Sequence, residues 1–521
     1  MSTTEKFDLL RDQLVEGDDG AELDPRLADP AWGEAPLGYP RLGRVRLLLA
    51  ANIVAGVWYF SWLLRPDRVG YPVLYGILLV AELFNLAQAV GFWVSISRQR
   101  RRPDAPAFDP TTRVDVFIPR YDEPAEIVAP VLRAARAMRG ADVIVHLLDD
   151  GDDEEMLRLA TSLGVSYISR TRHNGAKAGN INHALTVTTA PYVVVFDCDH
   201  VPHPDFLLRT LGLLVADDKM ALVQTPQHYA NSLENEVAAA SWAQQALFFG
   251  CIARGKDTLG AMFCCGTNVV LRRTALGDGF PEDSLTEDFS LSIRLHEDGW
   301  RTAYVPEVLA QGLGPEDLGS YLGQQLRWAR GCLSGLSDAL SSRLPLRIKA
   351  QYVLSSMYFL TGWTVLIYMA LPVMRIVTGH QPLATTNADQ FLLHFAPYYA
   401  LCLGSVAIAG GGKYTFRAFT LSAATYWVHV TATLLTLARR RGRFAVTPKT
   451  SAGERQPLAA WPTLVTVALL LGVMAYGLSK SRDASMFNNV AFAGVHACIL
   501  LVGISAAFHR PAARDRFEFQ E

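Results

Sequence analysis

Long apolar runs stand near both ends of this chain, whereas its middle contains short ones. Residues 47–64 form an uncharged run, and residues 71–97 form a second run that Glu82 interrupts. Each is long enough to cross a hydrocarbon layer of about 30 Å as a helix. Four arginines follow within residues 98–102, and the positive-inside rule places this cluster in the cytosol.

The middle of the chain, from residue 111 to 345, alternates short apolar runs with stretches of helical periodicity. The runs VDVFIP, VIVHLL, VSYIS and YVVVFD are typical of strands, and segments such as 125–139 and 176–188 are typical of helices. This alternation predicts βαβ units and a mostly parallel α/β sheet. Ligands of such sheets bind beyond the carboxyl ends of the strands.

Five more apolar stretches follow the middle segment: 350–374, 391–412, 418–438, 456–479 and 484–509. The third is rich in Thr and Ser and ends in a basic run. We therefore interpret it as an amphipathic helix on the cytosolic face. Six crossings then keep the arginine cluster and the middle segment on one side of the membrane, and seven crossings are the alternative.

Taken together, the pattern predicts seven segments: an acidic cytosolic tail (1–45), two transmembrane helices (46–98), a cytosolic α/β domain with interfacial helices (111–345), two transmembrane helices (346–412), an interfacial helix and loop (413–455), two transmembrane helices (456–509) and a short cytosolic tail (510–521). Half of the 521 residues are hydrophobic and 19% are charged, which suits a membrane protein with a large soluble part. The first 30 residues lack the apolar run of a secretory leader.

Charge and cysteine usage add little to this picture. The formal net charge of -2 argues neither for nor against nucleic acid, and we expect no nucleic-acid partner. The seven cysteines show neither a CxxC pair nor zinc spacing, so we expect reduced thiols.

Two aspartates end the apolar run in VVVFDCDHVPHPDF. Because residues i and i+2 of a strand point to one face, Asp197 and Asp199 are expected to converge. Two carboxylates at such a short distance repel each other unless a cation lies between them. The pattern therefore indicates a divalent metal site, with a solvated loop as the alternative. Asp149 and Asp150 end another predicted strand in the same way.

A set of motifs follows in a fixed order: PRYDEP, LLDDG, HNGAKAGNIN, FDCDH, LTEDF, QQLRW and RFAVTPKT. With this set the chain resembles the family 2 glycosyltransferases, and more closely the catalytic subunits of bacterial cellulose synthases, over residues 111–455. The resemblance implies an α/β GT-A (Rossmann-like) cytosolic glycosyltransferase domain embedded in an α-helical transmembrane region of the plasma membrane.

The resemblance also assigns roles to the acidic residues. Asp197 and Asp199 would hold Mg²⁺ or Mn²⁺, which neutralises the diphosphate leaving group of a UDP-sugar, with His200 as a supporting neighbour. Asp288, with Glu287 beside it, would be the catalytic base that accepts the proton of the acceptor hydroxyl. The alternative for these two residues is a helix start, because acidic side chains suit the N-terminal dipole.

Further positions are implied to contact the donor or the acceptor: Tyr121, Glu123, Asp149, Asp150, Lys177, Asp197, Gln324, Arg327, Trp328, Phe444, Val446 and Thr447. Lys177 and Arg327 would bind phosphates, and Trp328 would carry the terminal sugar of the acceptor. The last three positions match a gating loop that closes over the donor. Arg120 and Asp122 depart from the family, because Thr and Asn are usual there in the cellulose enzymes.

The implied function is a processive, inverting synthase that polymerises glucose from UDP-glucose into a β-1,4-glucan and moves the polymer across the membrane. Its partners would be the UDP-sugar, the growing polysaccharide and membrane lipid, with an extracytoplasmic partner protein left open. The alternatives are a β-1,3-glucan, chitin, hyaluronan or glucomannan synthase, a non-processive lipid glycosyltransferase, and a catalytically silent scaffold. The intact acidic residues argue against the scaffold.

Overall fold

The structure is a computed structural model that describes residues 42–233, 236–384, 388–440 and 457–508. Two long helices open the described chain, α1 (Leu42–Leu63) and α2 (Pro72–Ser97). An α/β domain follows, and its strands in the described part are β1 (Arg113–Arg120), β2 (Asp142–Asp149), β3 (Ser166–Ser169), β4 (Tyr192–Val195), β5 (Val201–Pro202), β6 (Met220–Gln224), β7 (His228–Tyr229), β8 (Val269–Arg272), β9 (Arg301–Tyr304) and β10 (Ala310–Gly312).

Helices alternate with these strands and then take over the chain. Those of the α/β domain are α3 (Ala125–Arg136), α4 (Glu154–Ser162), α5 (Ala176–Val187), α6 (Phe206–Val215), α7 (Glu236–Leu247), α8 (Ala253–Thr258), α9 (Arg273–Leu276), α10 (Glu287–Glu297) and α11 (Leu318–Ser341). The later helices are α12 (Leu346–Met357), α13 (Thr361–Thr378), α14 (Ala388–Ala409), α15 (Phe416–Ala424), α16 (Tyr426–Leu437), α17 (Trp461–Lys480) and α18 (Ala484–Ile504).

The main sheet has seven strands in the order β3-β2-β1-β4-β8-β6-β9. All neighbouring pairs are parallel except those of β8, which runs antiparallel to both β4 and β6. A smaller sheet has the order β5-β10-β7. The four predicted strands are β1 to β4, so the prediction of a mostly parallel α/β sheet is confirmed.

Both faces of the main sheet are covered, which explains why its strands are apolar almost throughout. Val116 and Ile118 of β1 pack with Val131 of α3 in one buried cluster. Phe117, which points to the opposite face, packs with Ile181 of α5 in another. The two layers of helices thus leave the strand ends as the accessible edge of the sheet.

The DxD aspartates lie beyond a strand rather than in one. Strand β4 ends at Val195, and a tight turn follows in which the His200 N–H donates to the carbonyl oxygen of Asp197 at 2.9 Å. The expectation that strand alternation aligns Asp197 with Asp199 is therefore wrong. A turn reverses the chain here and brings the side chains together instead.

Six helical segments in the described part are long and apolar enough to cross a membrane: Leu42–Leu63, Pro72–Ser97, Leu346–Thr378, Asp389–Ala409, Leu458–Lys480 and Ala484–Ala507. The predicted helix over 418–438 is wrong as a single element, because α15 and α16 are separate helices that meet at Thr425. Helix α16 packs against α11 and α13, and α15 packs against α18. The number of crossings stays a prediction.

Candidate active site

The turn after β4 carries a compact set of potential metal ligands. One ligand atom from each of Asp197, Asp199 and His200 lies within 4.8 Å of the others. His200 Nδ1 lies 3.0 Å from Asp199 Oδ1, and its buried Nε2 has no hydrogen-bond partner among the described residues. The Asp197 N–H donates to Thr267 Oγ1 at 2.8 Å, which ties the turn to the start of β8. Carboxylate oxygens are the ligands that Mg²⁺ and Mn²⁺ prefer, so this donor set fits such an ion.

Lys177, in the first turn of α5, points into this turn. Its ammonium donates to Asp197 Oδ1 and to the carbonyl oxygen of Gly266, at 2.7 Å from the latter. Burial opposes the charge, but the carboxylates of Asp197 and Glu287 outweigh it and raise the pKa of Lys177. Lys177 is therefore a partly buried cation of the site, with 17% of its side chain exposed.

Gly266 allows this cation and the LTEDF acid to approach the same point. Its φ of +81° belongs to the left-handed region that favours glycine. A Cβ at this position would lie 3.0 Å from Asp288 Oδ2 and 3.8 Å from Lys177 Nζ. The glycine thus leaves the space in which Asp288 and Lys177 come close.

Asp288 lies in the first turn of α10, where its Oδ1 accepts the N–H of Phe289 at 2.8 Å. Burial, followed by repulsion from Glu287, raises the pKa of Asp288 to about 7. Thr286 precedes the helix but makes no capping hydrogen bond, and its buried Oγ1 has no hydrogen-bond partner within the described part of the chain. The helix-start alternative is therefore supported by the position of the acids and not by a threonine cap.

Helix α11 brings the QxxRW residues against the start of α10. A Cβ at Gly331 would lie 2.1 Å from Thr286 Cγ2, so the two helices touch at this glycine. Arg327 lies one turn earlier on α11, and its positive charge lowers the pKa of Asp288 against the stronger effect of burial. Trp328 is half-buried and packs in an apolar cluster with Phe359.

Tyr229 of β7 is a site residue that the sequence interpretation missed. It is 3% exposed, and burial raises its pKa to about 12, whereas the nearby side chain of Gln324 acts to lower that pKa. The charges of Asp199 and Arg327 both act on it. Tyr229 thus stands between the DxD turn and the QxxRW helix. An aromatic hydroxyl in the segment VQTPQHYAN was the available signal.

Asp149, at the end of β2, is fully buried and accepts four hydrogen bonds. The donors are Arg120 NH1 (2.9 Å), the N–H groups of Gly151 and Asp153 (both 2.9 Å) and the Tyr167 hydroxyl (2.8 Å). Burial opposes ionisation, yet these bonds lower the pKa of Asp149. Arg120, which departs from the family, is thus the ionic partner of Asp149, one of the two aspartates that are implied to contact the donor.

Asp150 makes a two-pronged ion pair with Arg170, with both N–O distances at 2.7 Å. Arg170 also donates to the carbonyl oxygen of Asn174 at 2.6 Å, in the loop that leads to Lys177. Sequence reasoning missed Arg170, although a basic residue directly after β3 was a visible signal. Asp150 therefore helps to fix the loop before α5.

The other predicted residues fall into two groups. Glu123 Oε2 accepts the backbone N–H of Tyr121 at 2.9 Å, and the side chain of Tyr121 is exposed near the end of β1. Phe444, Val446 and Thr447 lie outside the described residues. The structure thus brings together Asp197, Asp199, Lys177, Asp288 and Arg327, whereas Asp149 and Asp150 make ion pairs with Arg120 and Arg170.

Two family profiles match the chain. The first, described as "Glycosyltransferase like family 2", matches residues 110–331, and the second, described as "Cellulose synthase", matches residues 278–410. Together they cover the α/β domain and the helices that directly follow it.

Curated relatives give the same result. Cellulose synthase 2 of Novacetimonas hansenii is 32% identical over 455 residues, which are 83% of this chain and 28% of that protein. The UDP-forming cellulose synthase 1 catalytic subunit of Komagataeibacter xylinus is 32% identical over 462 residues, which are 83% of this chain and 60% of that protein. The chain therefore spans less than two thirds of the length of these relatives.

A solved structure supports the fold. The mannosyltransferase of Pyrobaculum calidifontis, in complex with GDP-Man and Mn²⁺, aligns with 70% of this chain and 99% of its own, at a TM-score of 0.53 and 18% identity. At that identity the likeness concerns the fold of the chain and not its substrate.

Proposed function

The chain carries a family 2 glycosyltransferase domain of GT-A fold and resembles the catalytic subunits of bacterial cellulose synthases, and on this basis we propose that it polymerises glucose from UDP-glucose into a β-1,4-glucan. The proposal includes processive synthesis in the cytosol, passage of the polymer across the plasma membrane, and Mg²⁺ or Mn²⁺ as the cofactor. The six apolar helices are compatible with such a passage.

One observation supports the proposal: a candidate base, a partly buried cation and the two candidate metal-ligand carboxylates lie close together. Gly266 lies against both Asp288 and Lys177, and Lys177 in turn contacts Asp197. A donor sugar needs a cation at its diphosphate and a base at the attacking hydroxyl. This arrangement offers both at one edge of the sheet.

The residues present would divide the work between the leaving group and the nucleophile. A divalent ion held by Asp197 and Asp199 would supply positive charge to the departing diphosphate. Lys177 and Arg327 would donate to phosphate oxygens, as ammonium and guanidinium groups do. Each of these groups stabilises charge that grows as the sugar–phosphate bond breaks.

Asp288 would accept the proton of the acceptor hydroxyl as its oxygen bonds to the anomeric carbon of glucose. The bond from that carbon to the diphosphate breaks in the same step, and UDP leaves. A base with a pKa of about 7 is well matched to proton transfer near neutral pH. A single displacement inverts the anomeric centre, so an α-linked donor yields a β-linked product.

Helix α11 would hold the acceptor end. Gln324, the first residue of QxxRW, lies near Tyr229, whose pKa also responds to the charge of Asp199. Trp328 offers an aromatic face to the C–H groups of a sugar, while its other contacts anchor it in an apolar cluster. An acceptor that stays in place between additions is the requirement for processive synthesis.

The test uses the purified chain in lipid vesicles with Mg²⁺ or Mn²⁺ and a panel of radiolabelled UDP-sugars. The product is then digested with linkage-specific glucanases. Insoluble polymer from UDP-glucose that only β-1,4-glucanase degrades would support the proposal. Degradation by β-1,3-glucanase, or polymer from another UDP-sugar, would leave the proposed mechanism standing but contradict the proposed product. A short lipid-linked product would contradict processive synthesis.

A further inference from the structure

A groove of about 580 Å³ lies between α2 and α12, beside the α/β domain. On α2 its lining residues recur at helical spacing from Leu83 to Arg98, and α12 contributes Arg347, Ala350 and Leu354. The lining is apolar except near the two arginines and the neighbouring Gln351. The groove therefore combines an apolar length with a cationic end.

The dimensions of the groove suit a lipid chain. From Leu83 to Arg98 the helix rises by about 22 Å. One leaflet of a bilayer has about 15 Å of hydrocarbon, so the groove is long enough for an acyl chain. Leu83 and Val90 expose 47% and 44% of their surfaces along this length. A Cβ at Gly91 would lie 2.6 Å from Leu354 Cδ1, so the two helices touch and give the groove a floor.

The two arginines stand where lipid phosphates are expected. Arg98 directly follows the apolar segment Pro72–Ser97, and Arg347 lies at the start of the segment Leu346–Thr378. Both side chains are exposed, and within the described part of the chain neither makes an ion pair. Arg102, by contrast, is paired with Asp257. Guanidinium groups bind phosphate oxygens in a forked geometry, and cations at a membrane surface attract anionic lipids.

We propose that this groove binds one anionic phospholipid, with the phosphate between Arg98 and Arg347 and an acyl chain along α2. The inference rests on the proposed membrane location of these helices and not on the sugar chemistry. A lipid in this position would join α2 to α12 directly.

The groove also adjoins a contact between the membrane helices and the α/β domain. Lys256 of α8 is 3% exposed, and its ammonium donates to the carbonyl oxygen of Gln351 (3.0 Å) and to Ser355 Oγ (2.8 Å) on α12. Gln351 also belongs to the lining of the groove. The bound lipid would therefore stabilise the position of α12 relative to the α/β domain.

The experiment measures lipid retention by the full chain in nanodiscs that contain equal amounts of phosphatidylcholine and phosphatidylglycerol. Protein released from the nanodiscs is analysed by native mass spectrometry. We expect the wild-type chain to retain phosphatidylglycerol in preference to phosphatidylcholine. The variant R98Q/R347Q should retain it about thirtyfold less well. The control R100Q/R343Q makes the same charge change at neighbouring exposed arginines outside the groove lining and should behave as the wild type.

A second variant separates the groove from the charges. Ala350→Trp fills the groove at an exposed position and keeps both arginines, so it should also abolish retention. Equal retention by the wild type and R98Q/R347Q, equal loss in the control pair, or displacement by inorganic phosphate would each overturn the proposal. Because no UDP-sugar is added, a chain without polymerase activity would still give this result. Failure to insert into nanodiscs would overturn the membrane location as well.

Discussion

The ammonium group of Lys177 donates hydrogen bonds to the Asp197 carboxylate and to the carbonyl oxygen of Gly266. A cation therefore already balances one of the two carboxylates that we propose as metal ligands. Asp197 would share a divalent ion with Asp199, and the Lys177 ammonium would then be available to donate to the diphosphate of the donor. The loading of the metal and the capture of phosphate would thus be linked through one lysine.

Lys177→Met is expected to separate these two events. Removal of the ammonium takes away a competitor for Asp197, so Mn²⁺ should bind the nucleotide-free protein at least as tightly as in the wild type. UDP should bind about thirtyfold more weakly in the presence of Mn²⁺, because one hydrogen bond to a charged phosphate is lost. Titration calorimetry with each ligand measures both. Lys219→Met, at a lysine that lies over the Trp300 ring away from the turn, is the control.

Asp199→Asn should weaken Mn²⁺ binding strongly, because a neutral amide replaces a carboxylate ligand. Titration of Mn²⁺ into the protein without nucleotide tests this, and polymer formation should fall in parallel. The matched control is Asp142→Asn, an exposed aspartate at the opposite end of β2. If both variants bind Mn²⁺ as the wild type does, Asp199 is not a metal ligand.

Asp288→Asn is predicted to abolish polymer formation, with a loss of about 10²- to 10⁴-fold, because the amide cannot accept the proton of the attacking hydroxyl. Binding of UDP with Mn²⁺ should stay close to the wild-type value. Asp283→Asn, at an exposed acid shortly before α10, should leave both properties unchanged. An equal loss of UDP binding in Asp288→Asn would count against its assignment as the base.

The rate of polymer formation should rise with pH through about 7, because Asp288 acts as a base only when it is deprotonated. Glu287→Gln removes the repulsion that helps to raise this pKa, so the midpoint of the pH–rate profile should move to lower pH. A profile with the same midpoint in both proteins would show that another group controls the rate.

The same ionisation affects stability with a defined sign. The folded-state pKa of Asp288 lies above the value of about 3.9 expected in the unfolded chain, so the folded protein binds the extra proton between these two values. The free energy of folding that this proton uptake contributes is fully present below about pH 4 and is lost as the pH rises through about 7. Asp288→Asn should therefore flatten the pH dependence of thermal unfolding over this range.

Asp149→Ala should destabilise the α/β domain by about 3 to 5 kcal/mol, because it leaves the buried guanidinium of Arg120 without its main ionic partner. Thermal unfolding of the purified protein measures this effect. Asp122→Ala, at an exposed acid in the loop after β1, should change stability little. Unchanged stability in Asp149→Ala would mean that Asp149 serves the nucleotide rather than the fold.

Local patterns in the sequence were enough to predict the elements that carry the site. The apolar runs became β1 to β4 because strands covered on both faces need continuous hydrophobic residues. The motifs LLDDG and FDCDH stand at the ends of strands, and HNGAKAGNIN and LTEDF contain the starts of helices, so local patterns already indicated where most of these side chains lie. These features depend on residues close to one another in the chain.

Long-range contacts were decided by the tertiary structure. Strand β8 enters the sheet antiparallel between β4 and β6, and no local period records which strand will be its neighbour. Periodicity likewise does not encode three local features of the site. These are the turn at Asp197, the ion pair of Arg170 with Asp150, and the contact of Gly331 with Thr286. The sequence therefore determined which chemical groups line the sheet edge, whereas packing between distant segments determined which of them touch.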